Sequence, residues 1–108
     1  MKKLEKAPFA LTFADKNCRI EWMNEKAKSV FSKYGNDLTG KNLKDCHNAL
    51  SKEKIDDMYS KKTINAYTIE KNGIKKLIYQ FPVYDENEFA GYGELSLEIP
   101  DDMPHFKR

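Results

Sequence analysis

Residues 18–47 read CRIEWMNEKAKSVFSKYGNDLTGKNLKDCH, and this stretch decides the fold. Its first part, Arg19 to Met23, alternates polar and apolar residues as a short strand does. Asn24 follows and can cap a helix, because its side-chain oxygen can accept a hydrogen bond from a free amide of the first turn. The helix predicted from Asn24 to Tyr34 ends at Gly35, which adopts the left-handed conformation at low cost. A glycine-containing loop then leads to Cys46 and His47.

Further elements are predicted on both sides of this stretch. Alternation from Phe9 to Ala14 indicates a strand before it, and Ser51 is placed to cap a second helix after it. From Thr63 onward the pattern is that of strands. Asn72-Gly73 is typical of a two-residue hairpin turn, which requires positive φ at both positions, and it predicts that Ala66 opposes Tyr79.

The order of elements is two strands, helices, then three strands. This order favours an α+β fold, with a five-stranded antiparallel sheet and helices on one face. The 108 residues match the size of one domain, and no segment rich in Pro, Gly or Ser divides them. We expect a lead-in or linker at residues 1–7, a single domain at 8–100 and a loose tail at 101–108.

The composition argues against several classes of protein. The net charge is +2, and Arg19 and Arg108 are the only arginines, so few side chains can make the bidentate contacts that favour nucleic-acid binding. The longest apolar stretch near the start, Ala7 to Ala14, is too short to span a membrane. Two cysteines in such a chain are typical of reduced thiols. We expect a cytoplasmic protein that binds neither nucleic acid nor membrane.

The motifs, in their order, resemble those of a PAS domain, a sensory module common in bacterial signalling proteins. The resemblance extends from Phe9 to Ile99 and is carried by four features. They are the turn Asp15-Lys16-Asn17 with the strand that leads to Asn24, the helix with Ala27 and Phe31, the segment Leu38–Leu43, and Tyr92-Gly93. The resemblance implies a cupped sheet in the order 2-1-5-4-3, with helices that enclose a central cavity.

Two groups of apolar residues are candidates for function. The cavity is predicted to be lined by Phe31, Ile55, Met58, Ala66, Tyr79, Phe81 and Leu95. Small Ala66 beside larger residues leaves room for a modest apolar ligand, and plain core packing is the alternative. The other sheet face carries Tyr67, Ile69 and Ile78, a candidate surface for a dimer or a partner, with scattered exposure as the competing explanation.

His47 is the main candidate residue for binding a cofactor. Some PAS sensors bind haem through a histidine, so His47 is a possible haem axial ligand, while a capping or surface role is the alternative. Leu43 stands where a Cys-x-x-Cys-His motif has its first cysteine, which excludes covalently attached haem. Leu43 also follows Asn42 where flavin-binding relatives have a reactive cysteine, which argues against a flavin–thiol adduct. The spacing of Cys18, Cys46, His47 and His105 does not fit a zinc site.

No motif for catalysis is present, because only His47 could serve as a base for a nucleophile. We therefore expect a non-enzymatic sensor that binds a small molecule in its cavity and relays the change through its sheet. The relay would reach an attached effector domain or a second copy in a homodimer. The alternatives are a ligand-free dimerisation domain and a haem sensor that uses His47.

Overall fold

A computed structural model describes residues 2–31, 37–46 and 49–108 of the chain. Short 3-10 turns lie at Lys2–Leu4 and Leu43–Cys46. The strands and helices are β1 (Ala10–Asp15), β2 (Ile20–Met23), α1 (Glu25–Val30), α2 (Ala49–Lys61), β3 (Asn65–Lys71), β4 (Ile74–Asp85) and β5 (Glu88–Glu98). Neither helix in these ranges has the length and apolar content needed to cross a membrane.

The five strands form one antiparallel sheet in the order β2-β1-β5-β4-β3, which confirms the predicted fold. The hairpin between β3 and β4 also has the predicted turn, since φ is 54° at Asn72 and 78° at Gly73. Ala66 pairs with Tyr79, so the predicted register of this hairpin is confirmed. The turn chemistry therefore determines which residues of β3 and β4 share a face.

Asn24 joins β1, α1 and the N-terminal segment. Its side chain is fully buried, and its Oδ1 accepts hydrogen bonds from the amides of Ala27 at 3.0 Å and Leu11 at 3.1 Å. Its Nδ2 donates to the carbonyls of Phe9 at 2.9 Å and Leu4 at 3.1 Å. The predicted cap is thus present, and the same side chain fastens the segment predicted as a lead-in to the domain.

The start of α2 and the end of α1 differ from their predicted positions. Ser51 lies inside α2, which begins at Ala49, so the prediction that Ser51 caps this helix is wrong. The capping preference of serine did not decide the start, because the helix had already begun before that position. Helix α1 ends at Val30, with Phe31 as its C-cap, so the prediction that it extends to Tyr34 is wrong; the predicted stop at Gly35 lies outside the described residues.

The segment before the second 3-10 turn pairs with the edge of β2. The amide of Gly40 donates to the carbonyl of Ile20 at 2.7 Å, and the amide of Ile20 donates to the carbonyl of Lys41 at 2.9 Å. The amide of Leu43 donates to the carbonyl of Cys18 at 2.6 Å. These bonds cover an edge that would otherwise be open for pairing with another chain. They also place Leu43 above the sheet, beside the cavity.

Two clusters of buried side chains hold the helices on the sheet. The cluster under α1 consists of Ala10, Ile20, Met23, Ala27 and Leu38. The cluster under α2 consists of Cys18, Ile55, Met58 and Tyr92. The hydroxyl of Tyr92 lies 2.7 Å from the carbonyl of Met58 and 2.8 Å from that of Thr63, so β5 holds the C-terminal end of α2. The space between the two clusters is the cavity.

Candidate functional site

Four polar residues lie side by side across the face of the sheet that the helices cover. In the strand register Asn65 pairs with Gln80, Gln80 with Glu94, and Glu94 with Thr12. The Asn65 Nδ2 donates to the Gln80 Oε1 at 2.7 Å, and the Gln80 Nε2 donates to the Glu94 Oε2 at 2.8 Å. We call Thr12, Glu94, Gln80 and Asn65 the inner polar row.

The hydrogen bonds of this row run in one direction and end on a carboxylate. Each amide orients the next, so the Gln80 amide is held as a donor toward Glu94. Within the described part of the chain, no lysine or arginine forms an ion pair with Glu94. The row therefore presents an acceptor whose charge no described cation neutralises.

A small cavity lies between the row and the helices. Its volume is about 50 Å³, and Thr12, Phe31, Leu43 and Met58 are among the residues that line it. A water molecule occupies roughly 30 Å³ in the liquid, so this cavity has room for water but not for an organic ligand. Glu94 also lines this cavity.

A larger pocket opens between α2 and strands β3 and β4. Its volume is about 210 Å³, below the roughly 300 Å³ at which pockets for drug-sized molecules begin. The helix contributes Lys54, Ile55 and Met58, and the sheet contributes Asn65, Tyr67, Gln80 and Glu94. The helix side of the pocket therefore combines Lys54 with two apolar residues, its floor is made largely of the inner polar row, and its size fits a small metabolite.

Tyr67 and Lys54 lie at this pocket together. The Lys54 Nζ is 5.8 Å from the centroid of the Tyr67 ring, which is within the range of a cation–π contact. Partial burial raises the pKa of Tyr67, and the negative charge of Glu94 raises it further. The electrostatic influence of Glu94 thus extends across the pocket to the neighbouring strand β3.

The buried thiol and phenol beside the cavity are poorly suited to catalysis. Burial raises the pKa of the Cys18 thiol, which keeps it protonated and weakly nucleophilic at neutral pH. Burial also raises the pKa of Tyr59, whose hydroxyl donates to the carbonyl of Asp15 at 2.9 Å. These two groups lock α2 to the turn between β1 and β2.

The opposite face of the sheet is aromatic. Trp22 pairs with Phe13, and Gly93 pairs with both Phe13 and Phe81. The Phe13 ring stacks on Trp22 with centroids 5.9 Å apart and meets the edge of Phe81 at 6.4 Å, while Tyr79 lies 6.0 Å from Phe81. We call Trp22, Phe13, Phe81 and Tyr79 the outer aromatic group.

The predicted cavity residues are divided between these two faces. Phe31, Ile55 and Met58 line the cavity or the larger pocket. The register places Ala66, Tyr79, Phe81 and Leu95 on the outer face, because neighbouring residues of a strand point to opposite sides and Asn65, Gln80 and Glu94 face inward. The prediction that these four line the cavity is therefore wrong.

The predicted interface residues also lie on the face opposite to the one that was predicted. Tyr67 lines the larger pocket, and its cross-strand partner Ile78 is buried, with 6% of its surface exposed. Ile69 follows the same alternation and is 40% exposed. The three therefore belong to the inner face and do not form an outer interface. The error arose from choosing by size: we predicted that Tyr79 and Phe81 face the helices, but the inner positions of the hairpin hold Asn65 and Gln80 together with Tyr67 and Ile78.

One predicted site residue, His47, cannot be placed, and one feature of the site, the inner polar row, was not predicted. His47, the predicted haem ligand, lies outside the described residues. The inner polar row was missed, although the hairpin register already aligned Asn65 with Gln80, and an antiparallel partner strand for β4 would have added Glu94. An unbroken line of amides and a carboxylate across adjacent strands was the signal available in the sequence.

The sheet order and the helices over its inner face define a small α+β domain. A family model described as "PAS domain" matches residues 3–99, and the chain belongs to this family. PAS domains are typically sensory, non-catalytic modules, and the similar solved structures include a receptor and sensor histidine kinases. A search of curated proteins found no match to this chain.

Solved structures agree with this assignment at low sequence identity. A C-terminal domain from Streptococcus mutans has a TM-score of 0.70 and 20% identity, covering 90% of this chain and 80% of that one. The PAS domain of Bordetella pertussis BvgS has a TM-score of 0.67 and 17% identity, covering 94% and 84%. The Aer2 receptor from Vibrio cholerae, described as a dual PAS-heme oxygen sensor, has a TM-score of 0.62 and 16% identity, covering 85% and 95%. At these identities the likeness shows the fold alone.

Proposed function

We propose that this PAS domain is a sensory module that binds a small ligand against its inner polar row and relays the change to an attached effector or a second copy. The observation that carries the proposal is the position of Gln80 and Glu94 on the floor of the pocket under α2. Partial burial of such groups costs free energy unless hydrogen bonds compensate for it. A core built only for stability would place apolar side chains at these positions.

The pocket lies where a ligand can affect the fold. Its two sides belong to different elements, with Ile55 and Met58 on α2 and Gln80 on β4. Tyr92 holds α2 to the sheet at the carbonyl of Met58, and Lys44 forms an ion pair with Asp56 of α2. A ligand that prefers one spacing between α2 and the sheet shifts the domain toward that state, which is the requirement for signalling.

Native mass spectrometry of the protein purified from its natural host tests the proposal. We expect a bound small molecule, and we expect members of a metabolite panel to raise the melting temperature. No bound mass together with no thermal shift would contradict ligand sensing. An absorption spectrum of the same sample tests the haem alternative, because bound haem gives a strong Soret band.

A matched pair of variants tests where the ligand lies. Gln80→Leu removes the central amide of the inner polar row, whereas Tyr79→Leu changes the neighbouring residue on the outer face. We expect the first variant to lose the bound molecule and the second to keep it. Equal retention of the ligand by both variants would place its site elsewhere.

The outer aromatic group favours a second candidate function, association with another copy of this chain without a ligand. Trp22, Phe13, Phe81 and Tyr79 are each only partly buried, although they form one continuous aromatic surface. Such surfaces often mark contacts with a partner. Sedimentation of Tyr79→Glu tests this candidate: we expect a shift toward monomer, and an unchanged association would contradict it.

A further inference from the structure

Building on the proposed function, we infer that the larger pocket recognises a small zwitterionic amino carboxylate, with the ligand's ammonium group on Glu94 and its carboxylate on Lys54. The inference rests on two opposite charges that line the same pocket. Neither charge forms an ion pair with another described residue. A ligand that carries both complementary charges would satisfy both at once.

The sheet side of the pocket selects a cation. Glu94 accepts a hydrogen bond from Gln80, and Gln80 in turn accepts one from Asn65, so the row supplies negative charge that is already oriented. Charge-assisted hydrogen bonds between an ammonium group and a carboxylate are among the stronger polar contacts in proteins. The Tyr67 ring adds a second attraction, because the face of an aromatic ring favours a nearby cation.

The helix side of the pocket selects an anion. Lys54 is an exposed residue of α2, and its Nζ is 5.8 Å from the Tyr67 ring centroid, a weak contact that a ligand carboxylate can replace. A purely cationic ligand would meet repulsion from Lys54, and a purely anionic ligand would meet repulsion from Glu94. A zwitterion avoids both costs, since each charge lies against its opposite.

The size of the pocket restricts the ligand further. A volume of about 210 Å³ is enough for a molecule of a few heavy atoms but not for a peptide or a macrocycle. Ile55 and Met58 supply an apolar side that suits the methylene groups between the two charges. These features fit amino acids with a short side chain or a short spacer.

Isothermal titration calorimetry of the full chain with glycine, L-alanine, 4-aminobutyrate and 5-aminopentanoate tests the inference. We expect at least one to bind with a Kd below about 1 mM, a modest affinity that suits a small ligand. Butylamine and butanoate, which each lack one of the charges, should bind at least about tenfold more weakly, the loss that results when one charged contact is missing.

Two pairs of variants distinguish pocket contacts from net charge. Glu94→Gln should weaken binding at least about tenfold, while Glu98→Gln, which removes the same charge from an exposed position of β5, should leave binding unchanged. Lys54→Met should weaken binding, while Lys52→Met, which alters an exposed position of the same helix, should not. Thermal unfolding of each variant checks that it is folded.

The outcomes separate this inference from the proposed function. If no amino carboxylate binds but native mass spectrometry finds another small molecule, the inference is overturned and the proposed function stands. If no molecule of any kind binds, both are overturned. Binding that survives Glu94→Gln would also overturn the inference, because it would show that the ammonium group is held elsewhere.

Discussion

The two faces of the sheet differ sharply although they are built from neighbouring residues. Gln80 belongs to the inner polar row and Phe81 to the outer aromatic group, and Thr12 and Phe13 divide in the same way. One face offers amides and a carboxylate to a pocket under a helix, and the other offers rings packed on one another. The comparison shows that in this sheet the aromatic side chains do not mark the face that lines the pocket.

A glycine allows the outer rings to meet. Gly93 lies between Phe13 and Phe81 in the register, and a Cβ there would lie 2.5 Å from the Cζ of Phe81. The absent side chain lets the two rings cover the strand, an arrangement known to protect glycine in sheets. On the other side of β5, the next residue Glu94 is free to meet Gln80.

The largest expected effect comes from Gly91→Ala, which would disrupt the close approach of β5 to β1. Both faces of the sheet depend on this strand pairing. Gly91 has φ of 137°, and a Cβ there would lie 1.9 Å from the carbonyl oxygen of Ala14 on the neighbouring strand. We expect a loss of about 4 kcal/mol or more in the free energy of unfolding, measured by urea denaturation. In the control Gly73→Ala, φ is 78° but the space is open, so the loss should be about 1–2 kcal/mol, the cost of a left-handed conformation for a residue with a Cβ. Similar losses in the two variants would contradict the close approach of β5 to β1.

A pair of truncations on one strand compares the faces directly. Phe81→Ala removes a half-buried ring with two aromatic neighbours and should cost about 2 kcal/mol of unfolding free energy, less than a fully buried ring. Gln80→Ala should cost about 1 kcal/mol, because water in the pocket can replace its hydrogen bonds.

Ligand binding should respond in the opposite order, with a loss in Gln80→Ala and little change in Phe81→Ala. Chemical denaturation gives the stability of each variant, and calorimetry or native mass spectrometry gives its binding. If Phe81→Ala lost the ligand while Gln80→Ala kept it, the roles of the two faces would be reversed.

The smallest expected effect concerns alkaline pH and the buried hydroxyls on the inner side. Burial raises the pKa of Tyr59 and of Tyr92 above the ordinary value of about 10. The folded state therefore holds these protons more tightly than the unfolded state does. Their contribution to stability is complete below about pH 10 and is lost progressively as the pH rises above it.

Urea denaturation between about pH 8 and pH 11 measures this loss, which should begin near the ordinary tyrosine pKa. Tyr59→Phe removes one of the ionisable groups and should make the alkaline decline shallower. The same variant should cost about 1 kcal/mol at neutral pH, since its hydrogen bond to the carbonyl of Asp15 is lost. If the stability of Tyr59→Phe fell as steeply with pH as that of the parent chain, ionisation of Tyr59 would not be the cause of the alkaline loss.

The elements of the fold could be predicted because their signals are local, whereas the strand order 2-1-5-4-3 was implied by the resemblance to PAS domains. The turn at Asn72-Gly73 determined the hairpin register, and Asn24 marked the start of α1. The bond from the amide of Ala27 to Asn24 was predicted as a helix cap, but the bonds from Asn24 to the carbonyls of Leu4 and Phe9 could not be foreseen, because these groups approach only in the folded chain.

The candidate site was harder to predict, because alternation gives two faces without saying which one the helices cover. We assigned the faces by side-chain size, which placed Tyr79 and Phe81 on the inner face and Tyr67 and Ile78 on the outer face. The structure has the reverse arrangement. The inner polar row depends on the sheet order as well as on the facing of each strand: β5 lies between β1 and β4, so Glu94 meets both Gln80 and Thr12. Helix α2 then covers the polar face, where its apolar residues pack on Tyr92.

Nuclear Overhauser effects from the methyl group of Met58 test the assignment of the two faces most directly. Met58 packs against Tyr92 and lines the pocket with Gln80, whereas Phe81 and Tyr79 lie on the other side of the sheet. We predict cross-peaks from this methyl group to the Tyr92 ring and none to the rings of Phe81 or Tyr79. Cross-peaks to either of those two rings would show that the aromatic face lies under α2, and would contradict the account of the site.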